Sequence, residues 1–364
     1  MALMQPRPQA LRAWLARPVP TSSAHPPGAG PPTSTTRTLH AVGARDAHGW
    51  VSLWRLDEAG RPAPEWTGVN RQRRDWLRFG RRGAHTRTSS GSKGGRVLDT
   101  ILYHLAVGKT LGLSGSNAIQ YLNENDEGFR VLPLFGTIPA QKGIKEILEE
   151  DLQIDFSKLL HGEHYFQLYR PIPKGAQVHS IIQLADIVNK GKDAVFIFDV
   201  ATRDDQENFL MYNQFCYFVK GAGGIGVKTC SDSAVPIINN YFQDQHPTFE
   251  HHHTTSADQA ALFRLTGDTN PYLIDPNLAQ KFGYKHPPLH GVCSIGIVAN
   301  ILQEQFQIPD DKFKGIKVRF SAPLFPGDTI QIWAWRMHKN VIFFNTMSME
   351  TGEMVHTGGY VTTY

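Results

Sequence analysis

The residues best suited to chemistry lie between Leu262 and Gly291, in the segment LFRLTGDTNPYLIDPNLAQKFGYKHPPLHG. Gly267-Asp268-Thr269-Asn270-Pro271 is turn chemistry and puts Asp268 on a loop. Asp275-Pro276 reads as an N-cap followed by Pro at the first helical position, opening a short helix that runs to about Phe282. His290-Gly291 then opens GVCSIGIVANILQEQF (291–306), which is apolar nearly all round and so predicts a helix buried on most faces, closed by Pro309. The start of such a helix offers unsatisfied N–H groups and a positive dipole, and Gly291 permits close approach of a ligand. A carboxylate beside that donor-rich end suits enolate chemistry: the N–H stabilises negative charge on a thioester oxygen while Asp268 handles a proton.

Other chemical signals are weaker. Gly221 to Gly226 satisfies GxGxxG, but VKTCSDSAVP follows in place of a helix, so a glycine loop after a strand is the reading. The run His251–His253 suggests a metal, yet consecutive residues diverge in direction and no HExxH accompanies them, so no metal site is expected and the run reads as solvated loop. Cys293 close to His290 imitates a nucleophile pair, but a thiol inside an apolar helix is expected to be buried and inert.

The elements that must position the segment are legible on both sides of it. ILYHLAVG (101–108) has helical periodicity. Strand-like runs follow at 164–172, 176–188, 193–203 and 208–219, and again at 314–325, 328–338, 340–350 and 353–363. The two sets echo each other at one junction: RPIPKGAQVHSIIQLADI (170–187) is matched by SAPLFPGDTIQIWAWRMH (321–338). Each copy has a strand, a Pro-containing bend, a Gly turn (Gly175, Gly327) and a long strand. The predicted fold class is α+β: two tandem units, each a helix wrapped by an antiparallel sheet, over 95–240 and 241–364.

Residues 1–94 read differently, dominated by Pro, Gly, Ser, Thr and Arg, a composition expected to be disordered. The tail also has the Arg-rich, acid-poor look of an organelle presequence, and an uncleaved extension is the alternative. A short ordered element around 48–57 is expected from its Trp residues. Of 37 basic and 33 acidic residues, 1–96 hold sixteen and five, so the remaining body is mildly acidic. That balance argues against nucleic-acid binding. No apolar run is long enough for a membrane-spanning helix. Three scattered Cys exclude a disulfide framework.

From about residue 97 onward the chain resembles the MaoC-like, type 2 enoyl-CoA hydratases. The resemblance is carried by LPLFGTIPAQKG (132–143), LLHGEHYFQLYRPIP (159–173), YNQFCYFVKGAGGIGVKTCSD (212–232), GDTNPYLIDPNLA (267–279), PPLHGVCSIG (287–296) and KGIKVRFSAPLFPGDT (314–329). It implies a double hot-dog fold and (3R)-specific hydration of trans-2-enoyl-CoA in fatty-acid β-oxidation. No cofactor is implied, the CoA thioester being the substrate. Residue by residue, it implies Asp268 as the catalytic carboxylate, Asn270 as its orienting partner and Gly291 as the oxyanion donor. His161, Gly162, Lys190 and Phe320 are implied as acyl-CoA contacts, with Glu124 a further functional acidic position. The resemblance allows a homodimer and points to the peroxisome, although Val361-Thr362-Thr363-Tyr364 is no SKL-type terminus and the tail admits the mitochondrion.

One departure bears on activity. The family pattern is Gly-Asp-x-Asn-Pro-x-His, and Leu273 stands where the His belongs. Loss of an acid/base group costs about 10²–10⁴ in rate, so the expectation is a hydratase of impaired activity. The alternatives are a non-catalytic acyl-CoA-binding homologue or partner subunit, and, third, a thioesterase. His290 and His251–His253 are the imidazoles that substitution would have to draw on.

Overall fold

A computed structural model of the protein describes residues 41–42, 54–55, 97–111, 118–146, 148, 154, 158–175, 177–224, 229–238 and 245–364. The chain divides into two units, Met1–Arg82 and Gly83–Tyr364. In the first, β1 (Ala41–Val42) pairs antiparallel with β2 (Trp54–Arg55); β2 falls within the expected short element around 48–57, whereas β1 lies before it. The expectations of a disordered tail and of a presequence otherwise lie outside the described residues.

The second unit is built on a nine-stranded antiparallel sheet. Its strands are β3 (Leu159–Leu168), β4 (Val178–Lys190), β5 (Asp193–Asp204), β6 (Phe209–Val219), β7 (Phe249–Thr254), β8 (Phe313–Phe320), β9 (Thr329–His338), β10 (Val341–Ser348) and β11 (Met354–Thr363). The spatial order is β4-β5-β6-β3-β8-β11-β10-β9-β7. The echo in the sequence is therefore an echo in topology. In each copy four consecutive strands run first-next-to-last, β4-β5-β6-β3 and β9-β10-β11-β8, and the two first strands meet at the centre. Gly175 and Gly327, the paired turn glycines, both hold positive φ, at 68° and 93°. The two copies share this one sheet through β3 and β8, whose register sets Glu163 opposite Arg319 and Tyr165 opposite Lys317.

Strand β3 begins earlier than the sequence pattern predicts and ends before Pro171, since prolines cannot donate to the ladder. Its register slips between His161 and Glu163, leaving Gly162 as the inserted residue of a bulge. His251–His253 do not form a loop, as the sequence reading had it, but lie within edge strand β7. Antiparallel pairing with β9 holds them there, His251 facing Ile332 and His253 facing Ile330. An edge strand that is mostly exposed carries polar residues on both faces and so looks like a loop in sequence.

Among the described residues the unit also has six α-helices: α1 (Val97–Ala106), α2 (Ile119–Leu122), α3 (Thr137–Glu146), α4 (Gln259–Arg264), α5 (Pro276–Lys281) and α6 (Gly291–Gln305). Helix α3 contributes Ala140 and Ile144 to a core with Ile182, Phe196, Phe198 and Phe215 of β4, β5 and β6. Helix α6 is buried on most faces, as its all-round apolar sequence requires, and packs in a second core with Ile316, Ile330, Ile342 and Val361. Gly296 lets α1 press onto it: a Cβ there would lie 2.7 Å from Val107 Cγ1 and 2.9 Å from the Tyr103 hydroxyl. Two helices, α3 and α6, each packed against its own half of the one antiparallel sheet, make a double hot dog.

Candidate active site

The loop after α4 places Asp268 by local chemistry. Gly267 takes φ 133°, where a side chain is strained, and the Asn270 N–H donates to Asp268 Oδ1 at 3.2 Å. Beyond it Pro271–Leu273 form a single 3₁₀ turn, and Asp275 caps α5 by accepting from the N–H groups of Asn277 (2.8 Å) and Leu278 (3.2 Å). The predicted N-cap and the helix stopping at Phe282 are both present. Leu273 is buried, 4% exposed, so the position expected to hold an imidazole holds a packed aliphatic side chain.

The other carboxylate oxygen draws in two residues from distant parts of the chain. Gln141 Nε2, on α3 of the first copy, donates to Asp268 Oδ2 at 2.8 Å. His290 Nε2 lies 3.3 Å from the same oxygen. His290 is the residue immediately before Gly291 and the N-cap position of α6, so the carboxylate contacts the side chain that opens that helix. Burial pushes the His290 imidazole below its ordinary pKa, against the pull of the Asp268 carboxylate. Burial likewise pushes up the phenols of Tyr217 and Tyr272, with the Asp268 charge adding to both. These groups are therefore neutral at neutral pH.

Gly291 is held from behind and covered in front. Its carbonyl accepts from Ser294 Oγ at 2.9 Å. Since that hydroxyl has only one proton, Ser294 accepts from His356 Nε2 at 2.9 Å, and Thr346 then donates to His356 Nδ1 at 2.8 Å. Burial pushes the pKa of His356 down to about 3, so it stays neutral and this tautomer is fixed. In front, a Cβ on Gly291 would stand 3.0–3.2 Å from the Phe320 ring. That ring lies 4.8 Å from the ring of His161, which in turn stacks on Phe215 and tilts against Tyr217. Gly291, Phe320 and His161 thus follow one another in contact, with Gly162 at the bulge beside His161, and Asp268 with Asn270 joins them through His290, the chain neighbour of Gly291.

Lys190 and Glu124 lie outside this cluster of contacts. Half-buried Lys190 ends β4 and donates to the Thr229 carbonyl at 3.1 Å. Burial lowers its pKa while Cys230 and Glu163 pull it up, the latter tying Lys190 to the ion cluster at the seam. In that cluster Glu163 lies 2.9 Å from Lys317 Nζ and 2.8 Å from Arg319. Burial opposes ionisation of Glu163, but the two cations outweigh it and hold the carboxyl below its usual range. Glu124 follows α2, and its main-chain carbonyl accepts from Lys174. Gly221–Gly224 turn directly after β6, Gly223 packing against the backbone at Gly191 and Lys192, so the glycine run forms a loop and Gly226 lies outside the described residues. Cys293 is fully buried and burial drives its thiol upward, which makes it inert.

Sequence reasoning missed Gln141, Ser294, His356 and Thr346. Only Ser294, one helical turn after Gly291, left a local signal; the others arrive through tertiary contacts.

Comparison with known proteins supplies the remaining observations. Residues 96–221 match the MFE-2 hydratase 2 N-terminal domain, and residues 240–358 match the MaoC like domain. The chain is 38% identical over 273 residues to mouse peroxisomal multifunctional enzyme type 2, covering 72% of this chain and 36% of that protein. It is 30% identical to Arabidopsis thaliana peroxisomal enoyl-CoA hydratase 2, covering 72% of this chain and 88% of that one. Its fold matches the structure of full-length Drosophila melanogaster peroxisomal multifunctional enzyme type 2 with a TM-score of 0.64 at 32% identity, over 74% of this chain and 47% of the other. The chain therefore spans less than half the length of these multifunctional enzymes.

Proposed function

The chain belongs to the MaoC-like, type 2 enoyl-CoA hydratase family, and from that premise we propose that it hydrates trans-2-enoyl-CoA thioesters to (3R)-3-hydroxyacyl-CoA. The observation that carries the reading is the apposition of Asp268 to the first turn of α6, through the 3.3 Å contact of His290 with the carboxylate. In the proposed reaction the thioester carbonyl lies against the Gly291 N–H. A water held by Asp268 attacks C3, and the π electrons move to the carbonyl oxygen as an enolate stabilised by that N–H. The water's proton passes to Asp268 and is returned to C2 as the enolate collapses. Water adds without net oxidation, so no redox cofactor is called for. Gln141 and the Asn270 N–H hold the carboxylate in place, and His161 and Phe320 line the thioester's path. Lys190 supplies a point charge for a CoA phosphate, and Glu124 a more distant acidic group.

Leu273 supports reduced turnover, since it cannot exchange a proton. It equally motivates a second reading, an acyl-CoA binder or partner subunit without catalysis. The names of the relatives favour the peroxisome as the compartment. The test is to mix the purified chain with crotonyl-CoA and with a longer enoyl-CoA and follow loss of the conjugated thioester absorbance. Asp268→Ala is expected to lower the rate by about 10²–10⁴. A parent rate no higher than that of Asp268→Ala would leave only the binding reading, which saturable CoA-thioester binding then checks.

A further inference from the structure

We propose that His290 is the second member of the proton-handling pair, sharing and steering the proton of Asp268 in a chain whose Leu273 cannot. The inference rests on the hydratase reading and specifies which side chains run it. His290 is 3% exposed; its ring nitrogens meet no partner at good hydrogen-bond geometry, and among the described residues the only polar group drawing on the ring besides the Asp268 carboxylate is the Asp268 main chain. An imidazole buried in that way is costly, because native structures pair nearly all buried polar groups. It precedes α6 yet makes no side-chain cap, so helix capping does not account for it. What it does approach is the carboxylate: Nε2 is 3.3 Å from Asp268 Oδ2.

The groups facing it are few. The loop contributes Asp268, and α4 contributes the cation of Arg264 and the ring of Phe263 at 5.0 Å. From α3 comes Gln141, which shares the same carboxylate oxygen and whose own Oε1 is buried without a partner. Burial keeps the imidazole neutral, and with its one proton on Nδ1 the ring turns the Nε2 lone pair towards Asp268 Oδ2, ready to accept from the carboxyl once that is protonated. The balance is then complete. As water's oxygen bonds to C3, its proton goes to Asp268, and a shift of about half an ångström closes the 3.3 Å contact into a hydrogen bond that spreads the proton over both groups. Collapse of the enolate takes the proton back to C2, leaving Asp268 ionised and His290 neutral. His290 acts through Asp268 and is thus a positioning residue.

The test uses the full chain and four variants on crotonyl-CoA: His290→Leu, His290→Asn, Leu273→His and the double variant His290→Leu/Leu273→His. His290→Leu is expected to lose at least a hundred-fold in kcat with KM within three-fold, and His290→Asn, which retains a donor but no titratable ring, at least ten-fold. The double variant is expected to regain at least ten-fold over His290→Leu, because an imidazole then returns at the position of the family's own His. That recovery separates a proton role from a packing role. Where His290→Leu does not fold, His290→Asn carries the comparison, with His290→Asn/Leu273→His as its rescue. Single His290 variants within three-fold of the parent, or a loss that Leu273→His leaves unrescued, overturn the inference while the hydratase reading stands. A parent active only after Leu273→His also overturns it. Inactivity of the parent and of Leu273→His alike removes the hydratase reading, and this inference with it.

Discussion

Gly291 shows how much chemistry depends on one missing methyl group. A Cβ there would meet the Phe320 ring at 3.0–3.2 Å, and Phe320 is itself wedged between His161 and His356. Gly291→Ala must therefore displace either the ring or the first turn of α6. Turnover of crotonyl-CoA is expected to fall by about ten- to a hundred-fold, short of the 10²–10³ lost with a whole oxyanion donor. Thermal unfolding should shift by only a few degrees. An unchanged kcat would separate Gly291 from the reacting atoms. At this scale the sequence was readable where function is local: Asp268 on its turn, Asp275 as a cap, Gly291 at a helix start. It was silent on Gln141 and His356. Each reaches the site through strand pairing or helix packing across long sequence separations, which no short window encodes.

The elements translate that local chemistry into position. Helix α6 does more than fill the core, because Ser294 ties the Gly291 carbonyl to His356 on β11 and Thr346 on β10. Ser294→Ala would leave the His356 ring N–H buried without an acceptor, at a cost of about 1–3 kcal/mol. A lower denaturant midpoint with unchanged slope is the expected measurement. The long apolar helix and the Pro-Gly junctions were legible because their periodicity and turn residues admit few alternatives. Strand β7 was not, for its histidines alternate with nothing apolar enough to mark an inner face. The start of β3 was also misplaced, because the Gly162 bulge breaks the alternation that reveals a strand.

Across the whole molecule the seam between β3 and β8 concentrates charge in a dry place. Lys317 is fully buried and its partner is Glu163. Glu163→Ala strands that cation, so a loss of about 3–5 kcal/mol is expected in urea unfolding, with Glu163→Gln milder. Acid acts through other buried groups. Burial pushes His104 down to about 4 and His161 and His356 to about 3, so the fold keeps them neutral. An unfolded chain would protonate them near pH 6.5. Their contribution is therefore full above pH 6.5 and drains away as pH falls towards 3–4, each imidazole withdrawing about 1 kcal/mol by pH 5.5. Denaturation midpoints at pH 7.5 and 5.5 should differ accordingly, and a flat profile would contradict the burial of these rings.

The shared sheet also constrains heredity. The carboxylate and the helix tip come from the second copy, but the amide holding that carboxylate and the imidazole packed against the Phe320 ring come from the first. Neither half can drift without the other. Chimeras that splice one half onto the opposite half of a distant relative should assemble their strands yet misalign the acid, unless the residues facing each other across the join are transplanted as a set.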